Sequence, residues 1–399
     1  MPPKSRAGNA KAKPRKNDRK QPTKPQQRTS SAPATSGFEL KALPLTLQQA
    51  ILNVFKHALD RPFALRRDLK PPPDSQAQSA EQERNEEETK PLSELVQLVK
   101  SHLYNRDFDA AFADADGELL RAYALRWSAG RALAYAGIFG YVLDQMSSST
   151  KQHVISIGGG AGAELVGLAA AWKDCDGEEN KDGALTSQME AVSLEDSALK
   201  QEDAELRDQK TSDRSLTIVD IADWSAVIEQ LNNFIQSGLL QKSSFKVDFH
   251  HADILNYTED ELTSLIGTST SSATLVTLMF TLNELFTVSI PKTTKFLLQL
   301  TDAVKAGTLL LVVDSPGSYS TVSLGTSKDG EEKPQRTYPM RFLLDHTLLT
   351  IAEGRWECVV SEPSKWFRRD ETRLRYWVGD GVGLEDMRFQ LHLYRKLDG

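Results

Sequence analysis

The sequence predicts an α/β fold: a mostly parallel sheet of seven strands covered on both faces by helices, with a helical layer ahead of it. Three observations carry this. From Val154 onward, short β-branched runs alternate with helical stretches, as expected for a sheet packed on both faces. The first run, Val154 to Ile157, ends in Gly158-Gly-Gly-Ala-Gly162 and continues into an Ala/Leu-rich stretch ending at Trp172, giving strand, turn and helix in order. Before it, residues 38–150 carry apolar side chains at helical spacing, interrupted by the polar linker 70–90.

Taken in chain order, residues 1–37 hold ten Lys or Arg against one acidic residue, Asp18. The whole chain has a net charge of −7, so the remainder is about −16. The segment "KAKPRKNDRKQPTKPQQR" has no apolar periodicity and reads as a disordered basic tail. It can serve as a nuclear or nucleolar address, as a sliding contact to RNA phosphates, or only as a solubilising tail. Phe38 to Asp60 places Leu47, Ile51, Val54, Phe55 and Leu59 at helical spacing, and helical pattern resumes from Pro91 through Gly117–Met146.

Residues 151–399 form the expected α/β domain. Its strands are read at Val154–Ile157, Leu216–Val219, Phe245–His250, Leu275–Met279, Thr308–Val313, Glu357–Val360 and Phe389–Leu393. Helices are expected after the first strand, at Ser225–Phe234, at Pro291–Val304 and around Tyr338–Ile351. Residues 174–213, with thirteen acidic and four basic side chains, read as a disordered acidic insertion, and 324–336 as a second polar loop. No apolar run reaches the length of about eighteen residues that a membrane span requires, and the amino terminus lacks the apolar segment of a secretory signal. Cys175 and Cys358 are the only cysteines, which excludes a disulfide framework and a cysteine metal site. No metal is expected, and a monomer is.

Ligands of open parallel sheets bind beyond the carboxyl ends of the strands, so the residues there matter most. After the first strand comes the glycine turn, where Gly158, Gly160 and Gly162 permit positive φ and close approach of a ligand to the main chain. Asp220, followed by Asp223, comes after the second; a carboxylate there can accept both hydroxyls of a ribose. Asp253 follows the third strand and can receive an amino donor such as adenine N6, with Ile254 offering an apolar face to the ring. Each has a bland reading: glycines for packing, Asp220 for a helix cap, Asp253 for a turn. Their order at successive strand ends describes an adenosine-bearing ligand. A dinucleotide fingerprint wants Gly-x-Gly-x-x-Gly with its ribose acid about twenty residues on. The tighter Gly-x-Gly-x-Gly spacing and the distant Asp220 favour S-adenosylmethionine instead.

The turn, "VDIADW", "RWSAGRALAY", "FTLNELF", "VVDSPGSYS", "KWFR" and "LEDMRFQLHLYRK" together resemble the fungal large-subunit (25S) ribosomal RNA uridine-N3 methyltransferases over roughly residues 95–397. That resemblance implies a class I, Rossmann-like fold and S-adenosylmethionine as cofactor, held by Gly158, Gly160, Gly162, Asp220 and Asp253. It further implies ribosomal RNA or a pre-ribosome as partner, in the nucleus or nucleolus.

One departure stands out. Such enzymes often carry an acid two positions before the first glycine, where this chain has Ser156. The methionine amino end must then be held by main-chain groups or by a residue outside His153–Trp172. Glu284 is expected to be the general base for N3, with Asn283 bonding the base edge and Asp314 as second candidate base. The bland reading makes Asn283 a helix cap.

"KWFRRDETRLRYW" interleaves Lys365, Arg368, Arg369, Arg373 and Arg375 with aromatic residues, offering phosphate partners beside stacking surfaces. Its alternative is an amphipathic strand pair. Arg126 and Arg131 offer similar contacts, with Trp127 and Tyr135 packing. A catalytically silent class I fold serving ribosome assembly, and a methyltransferase for another RNA or for protein, are the competing functions. Ser156 and the absence of an Asn-Pro-Pro-Tyr motif keep the first of these open.

Overall fold

The computed structural model describes residues 37–60, 90–146, 151–190, 213–239, 245–267, 272–317, 319–322, 336–379 and 382–398. The basic tail, most of the linker 70–90, the second half of the acidic insertion and nearly all of the polar loop 324–336 lie outside them.

Seven strands form one sheet. β1 (Lys151–Ile157), β2 (Asp213–Asp220), β3 (Lys246–His251), β4 (Ser272–Met279) and β5 (Leu309–Asp314) run parallel. With β8 (Trp356–Phe367) and β9 (Met387–Lys396), which follow a short hairpin named below, they stand in the order β3-β2-β1-β4-β5-β9-β8. β9 runs antiparallel to β5 and β8 antiparallel to β9. All seven strands expected from the sequence are present. The central ones are apolar on both faces because helices cover both, so Leu309 to Val313 are buried without alternation. A two-stranded hairpin, β6 (Tyr319–Val322) with β7 (Arg336–Pro339), stands apart; its polar sequence gave no strand signal.

β2 and β3 lie on one side of β1 and β4 on the other, so chain order reverses between β1 and β4 and opens a crevice at their carboxyl ends. One face of the sheet is covered by α1 (Leu45–Ala58), α4 (Ala129–Gln145), α5 (Ala163–Glu190) and α6 (Ser225–Phe234), whose buried residues share a core with Leu216, Leu275 and Leu311. The other face takes α7 (Glu259–Ile266), α8 (Leu282–Val288), α9 (Ile290–Ala303) and α10 (Met340–Asp345), packed on Ile155, Val276 and Leu310. α4 has no polar stripe because it is enclosed. Gly167 of α5 brings the two helices together: a Cβ there would lie 3.2 Å from the Ala132 carbonyl oxygen. Ahead of α4, α2 (Leu92–Asn105) and α3 (Gly117–Tyr123) complete the amino-terminal layer, and a π-helical turn, Ala124–Ser128, joins α3 to α4. No helix among the described residues is long and apolar enough to cross a membrane.

The acidic insertion begins later than its composition suggests. α5 continues to Glu190, and the first carboxylates of the insertion are docked. Asp176 receives both guanidinium nitrogens of Arg214, at 2.7 and 2.9 Å, and Asp174 lies 3.4 Å from Lys41. Pairing with cations from distant segments holds residues that local composition marks as loop.

Candidate active site

A cleft of about 1140 Å³, counted to its open mouth, lies at the carboxyl ends of β1, β2, β3 and β4. Its walls come from the glycine turn, the residues after β2, β3 and β4, α3 and α4, and a second π-helical turn, Asp109–Ala113, which brings Phe112 over it.

The glycine turn divides into two parts. Gly158, at φ +77°, and Gly159 line the cleft. Gly160 and Gly162 do not; a Cβ on Gly160 would come within 2.0 Å of the Trp224 ring, and one on Gly162 within 2.2 Å of Leu231. Close packing calls for glycine at all four, since a Cβ on Gly158 would meet Thr281 and one on Gly159 the Ser156 hydroxyl, while the main chain of this first pair also lines the cleft. The Gly160 N–H donates to Asp220 Oδ2 at 2.9 Å, fastening the turn to the end of β2.

Asp220 also accepts the Ala222 N–H at 3.0 Å, so each oxygen has one partner and keeps a lone pair on a residue that lines the cleft. Burial pushes its carboxyl above the ordinary range, against those N–H bonds. Asp253 accepts the Leu255 N–H and the Asn256 amide at 2.9 and 2.7 Å, closing a turn while still lining the cleft. Asp223, by contrast, is exposed and accepts from Ser225 at the start of α6. Val219, Ile221, Ile254 and Leu255 give the cleft an apolar wall between the two acids.

A residue not singled out from sequence sits at the cleft floor. Glu164, in the first turn of α5, is 2% exposed. Its Oε2 accepts the Thr277 hydroxyl from β4, while Oε1 is buried with no protein partner. The Ser156 hydroxyl beneath the turn has none either. Burial pushes the Glu164 carboxyl up to about 7, opposed by the neighbouring hydroxyls of Ser156 and Thr277. A carboxylate thus lies inside His153–Trp172, the stretch from which none was expected. The available sign was an acid in an otherwise apolar helix start, but Thr277 is far away in sequence.

At the end of β4 the backbone takes a left-handed turn at Phe280, φ +62°, unusual for so bulky a residue. Glu284 then faces the cleft from α8. Burial by the surrounding protein, and next the charge of Asp314, push its carboxyl up to about 8; Arg131 opposes this. Arg131 lies with its guanidinium 4.6 Å from the Phe280 ring and donates to the Tyr123 hydroxyl at 2.8 Å.

Asp314 does not line the cleft. It accepts the backbone N–H groups of Asn283 and Ser315 at 3.1 and 2.7 Å, so it caps the start of α8 and sets Glu284 in place, and its expected role as second base gives way to that. Asn283 is likewise outside the cleft lining, with Oδ1 buried and unpartnered. Among the described residues no group of three or more His, Cys, Asp or Glu side chains converges as a metal site.

Four of the five cations that this segment offers to RNA are divided by their partners. Lys365 is held by the Phe38 carbonyl at 2.6 Å, and Arg369, mostly buried, by Asp386 and Glu371 at 3.2 and 2.9 Å. Neither is a free phosphate contact. Arg368 and Arg373 are exposed, the first 3.3 Å from Asp386 and the second 3.9 Å from Asp370. The aromatic residues divide as well: Tyr376 is half-buried with its hydroxyl on the Leu125 carbonyl, while Trp366 and Trp377 are 48% and 70% exposed.

The fit to an S-adenosyl cofactor rests on these groups: a bare main-chain floor at Gly158 and Gly159, two acids flanking an apolar wall, and an orphaned carboxylate oxygen on Glu164 for a cationic amino group. Comparison with known proteins agrees. A family model described as S-adenosylmethionine-dependent methyltransferase matches residues 76–395. The chain is 35% identical over 324 residues to the 25S rRNA (uridine(2843)-N(3))-methyltransferase of Saccharomyces cerevisiae, covering 77% of this chain and 79% of that one.

Among solved structures, an S-adenosylmethionine-dependent methyltransferase from Clostridium acetobutylicum is 12% identical with a TM-score of 0.32, covering 76% of this chain and 99% of that one. The CcbJ methyltransferase from Streptomyces caelestis is 14% identical with a TM-score of 0.31, covering 67% and 90%. Both overlaps are partial, and it is the sequence matches that assign the family. By them, this chain belongs to the S-adenosylmethionine-dependent methyltransferases.

Proposed function

We propose that this enzyme methylates N3 of a uridine in large-subunit ribosomal RNA and acts in the nucleus or nucleolus, where its basic tail would direct it or hold it to RNA. The observation that carries the reading is Glu284: a cleft-facing carboxyl after β4, pushed up to about 8 beside Arg131, in a chain whose yeast relative is named for uridine N3. S-adenosylmethionine, when bound, supplies a methyl group on a sulfonium centre.

The remaining work belongs to the chain. The lone pairs left on Asp220 suit ribose hydroxyls, and the apolar wall with Ile254 suits an adenine ring. Glu164 takes the methionine ammonium on its unpartnered Oε1, doing from α5 what an acid at position 156 does elsewhere. Glu284, in its ionised form, accepts the N3 proton of the uracil. Arg131 favours that ionised form and can balance the negative charge that spreads to the uracil oxygens as the proton leaves. Phe112 and the π-helical turn that carries it narrow access of water to the cleft. With Glu164 in this position, the serine at 156 no longer argues for a silent fold.

The decisive test is nucleoside mass spectrometry of large-subunit ribosomal RNA from a strain lacking the gene. Loss of 3-methyluridine, restored by the wild-type chain, is the expected result. An unchanged 3-methyluridine level would refute the substrate assignment.

A further inference from the structure

A second hollow, of about 560 Å³, opens beside the cofactor cleft and shares Arg131 and Phe280 with it. Its other walls come from the π-helical joint, Arg126 and Trp127 with Gly130, and from the start of β9, Met387 and Arg388 preceded by Glu385 and Asp386. The joint matters to this shape. A π-helical turn carries one residue more than an α-turn, so Arg126 and Arg131, five apart, can serve the same hollow. Arg126 is 6% exposed; it donates to the Gly383 carbonyl at 2.9 Å and pairs with Glu385, but its Nε is buried with no partner. That leaves an unfilled donor in the wall.

The outer rim of the hollow is a cationic and aromatic ridge. Arg388 stands opposite Trp366 in the β8–β9 ladder, and its guanidinium lies 5.8 Å from the indole; that of Arg368 lies 4.9 Å from it. Among the described residues Arg388 has no ion pair, and its Nε donates only to the Ser364 hydroxyl, at 3.0 Å. Glu284 lines the cleft, Arg131 and Phe280 line both cleft and hollow, Arg388 lines the hollow, and Trp366 lies between Arg388 and Arg368 within contact of both.

Resting on the RNA-methyltransferase reading above, we propose that the hollow receives an unpaired nucleotide of the substrate, whose base passes Arg131 and Phe280 to reach the cleft, while Trp366 stacks the adjacent base and Arg388 meets a flanking phosphate. The chemistry distinguishes this from a duplex-binding or protein-binding face. An exposed indole flanked by guanidinium planes offers stacking to any unpaired base. Arg126 Nε can serve a uracil carbonyl oxygen. Glu385 and Asp386 orient Arg126, Arg368 and Arg369, and their charges make the hollow a poor cradle for phosphate alone. Binding should therefore depend on the base being unstacked.

The test uses the full chain and a fluorescein-labelled single-stranded oligouridylate, read by anisotropy over a salt series. Calorimetry with S-adenosylhomocysteine and a thermal melt are run on the same proteins. Trp366→Ala should weaken oligouridylate binding about tenfold, or about 1.4 kcal/mol, within what base–aromatic stacking supplies, and Trp366→Phe much less. Arg388→Ala should lower the slope of log affinity against log salt by about 0.7, the value for one phosphate contact on a single strand. A blunt-ended duplex should bind more weakly than the single strand, and S-adenosylhomocysteine affinity should be unchanged in both variants. Wild-type oligouridylate affinity in Trp366→Ala, or simultaneous loss of S-adenosylhomocysteine binding, would overturn the proposal. Its failure differs from failure of the parent reading, in which 3-methyluridine in large-subunit ribosomal RNA is unchanged in the strain lacking the gene.

Discussion

Two strand-to-helix turns meet at the same edge of the sheet and solve opposite problems. The turn after β1 removes side chains: Gly158 and Gly159 present main chain to the cleft, and Gly160 and Gly162 let Trp224 and Leu231 press against it. The turn after β4 keeps them. Phe280 occupies a backbone shape that glycine would adopt more easily, and the helix behind it carries Glu284. One turn clears side chains from crowded backbone; the other tolerates backbone strain to fix a side chain. In the proposed reaction, that difference separates cofactor binding from proton transfer at two neighbouring strand ends.

That separation can be broken by substitution. Glu284→Gln should lower kcat by roughly 10²–10⁴, the usual range for a general base, with S-adenosylhomocysteine affinity unchanged by calorimetry. Wild-type kcat should rise with pH through about 8, as the raised carboxyl ionises, and the Gln variant should lose that limb. A variant with full turnover and the same pH profile would place the base elsewhere.

Gly158→Ala should do the reverse. Its Cβ would lie 2.3 Å from Thr281 Oγ1 at φ +77°, so cofactor affinity should fall more than about tenfold and stability by about 1–3 kcal/mol in denaturant unfolding.

Glu164→Gln tests the floor of the cleft. Loss of a charge-assisted hydrogen bond predicts roughly tenfold weaker S-adenosylhomocysteine binding at pH 8. Wild-type affinity should increase as pH rises through about 7, and that of the variant should not. Stability moves the opposite way. The folded carboxyl, at about 7, holds its proton where the unfolded one, near 4.5, has lost it, so the wild type loses stability as pH rises between those values. The Gln variant should melt higher than wild type at pH 8 in the absence of ligand.

The smallest effect is expected from Asp314→Asn. Its charge raises the Glu284 carboxyl, so the pH limb of kcat should move to lower pH, with a change in kcat of only a few-fold as the cap on α8 weakens.

Much of this was legible before the structure. Strand positions follow from apolar runs that the sheet needs on both faces, and Asp220, Asp253 and Glu284, read from their places after strands, line the cleft at the strand ends. What the sequence concealed depends on long-range partners. Glu164 looks like an ordinary helix-start acid until Thr277 is placed against it. Asp314 looks like a base until its oxygens are found on the Asn283 and Ser315 N–H groups. Lys365 and Arg369 look like phosphate contacts because their own carbonyl and carboxylate partners include Phe38 and Asp386, far along the chain. Residues 174–177 read as free acidic chain, though Lys41 and Arg214 hold two of them.

The irregular pairing of β8 has a further consequence. This strand is an edge of the sheet, twelve residues long, and its register with β9 shifts between Cys358 and Val360 and again between Glu362 and Lys365, with Pro363 inside the second shift. A long, flat edge would be a template on which another chain could add a strand and begin an aggregate. Each register shift bends the ladder, and the proline removes a donor, so no long uninterrupted row of backbone groups is left for a newcomer. Trp366 lies just beyond the second shift, and an exposed indole on a regular edge would invite that same association. The interrupted strand lets the molecule keep a sticky side chain in water without becoming sticky to itself.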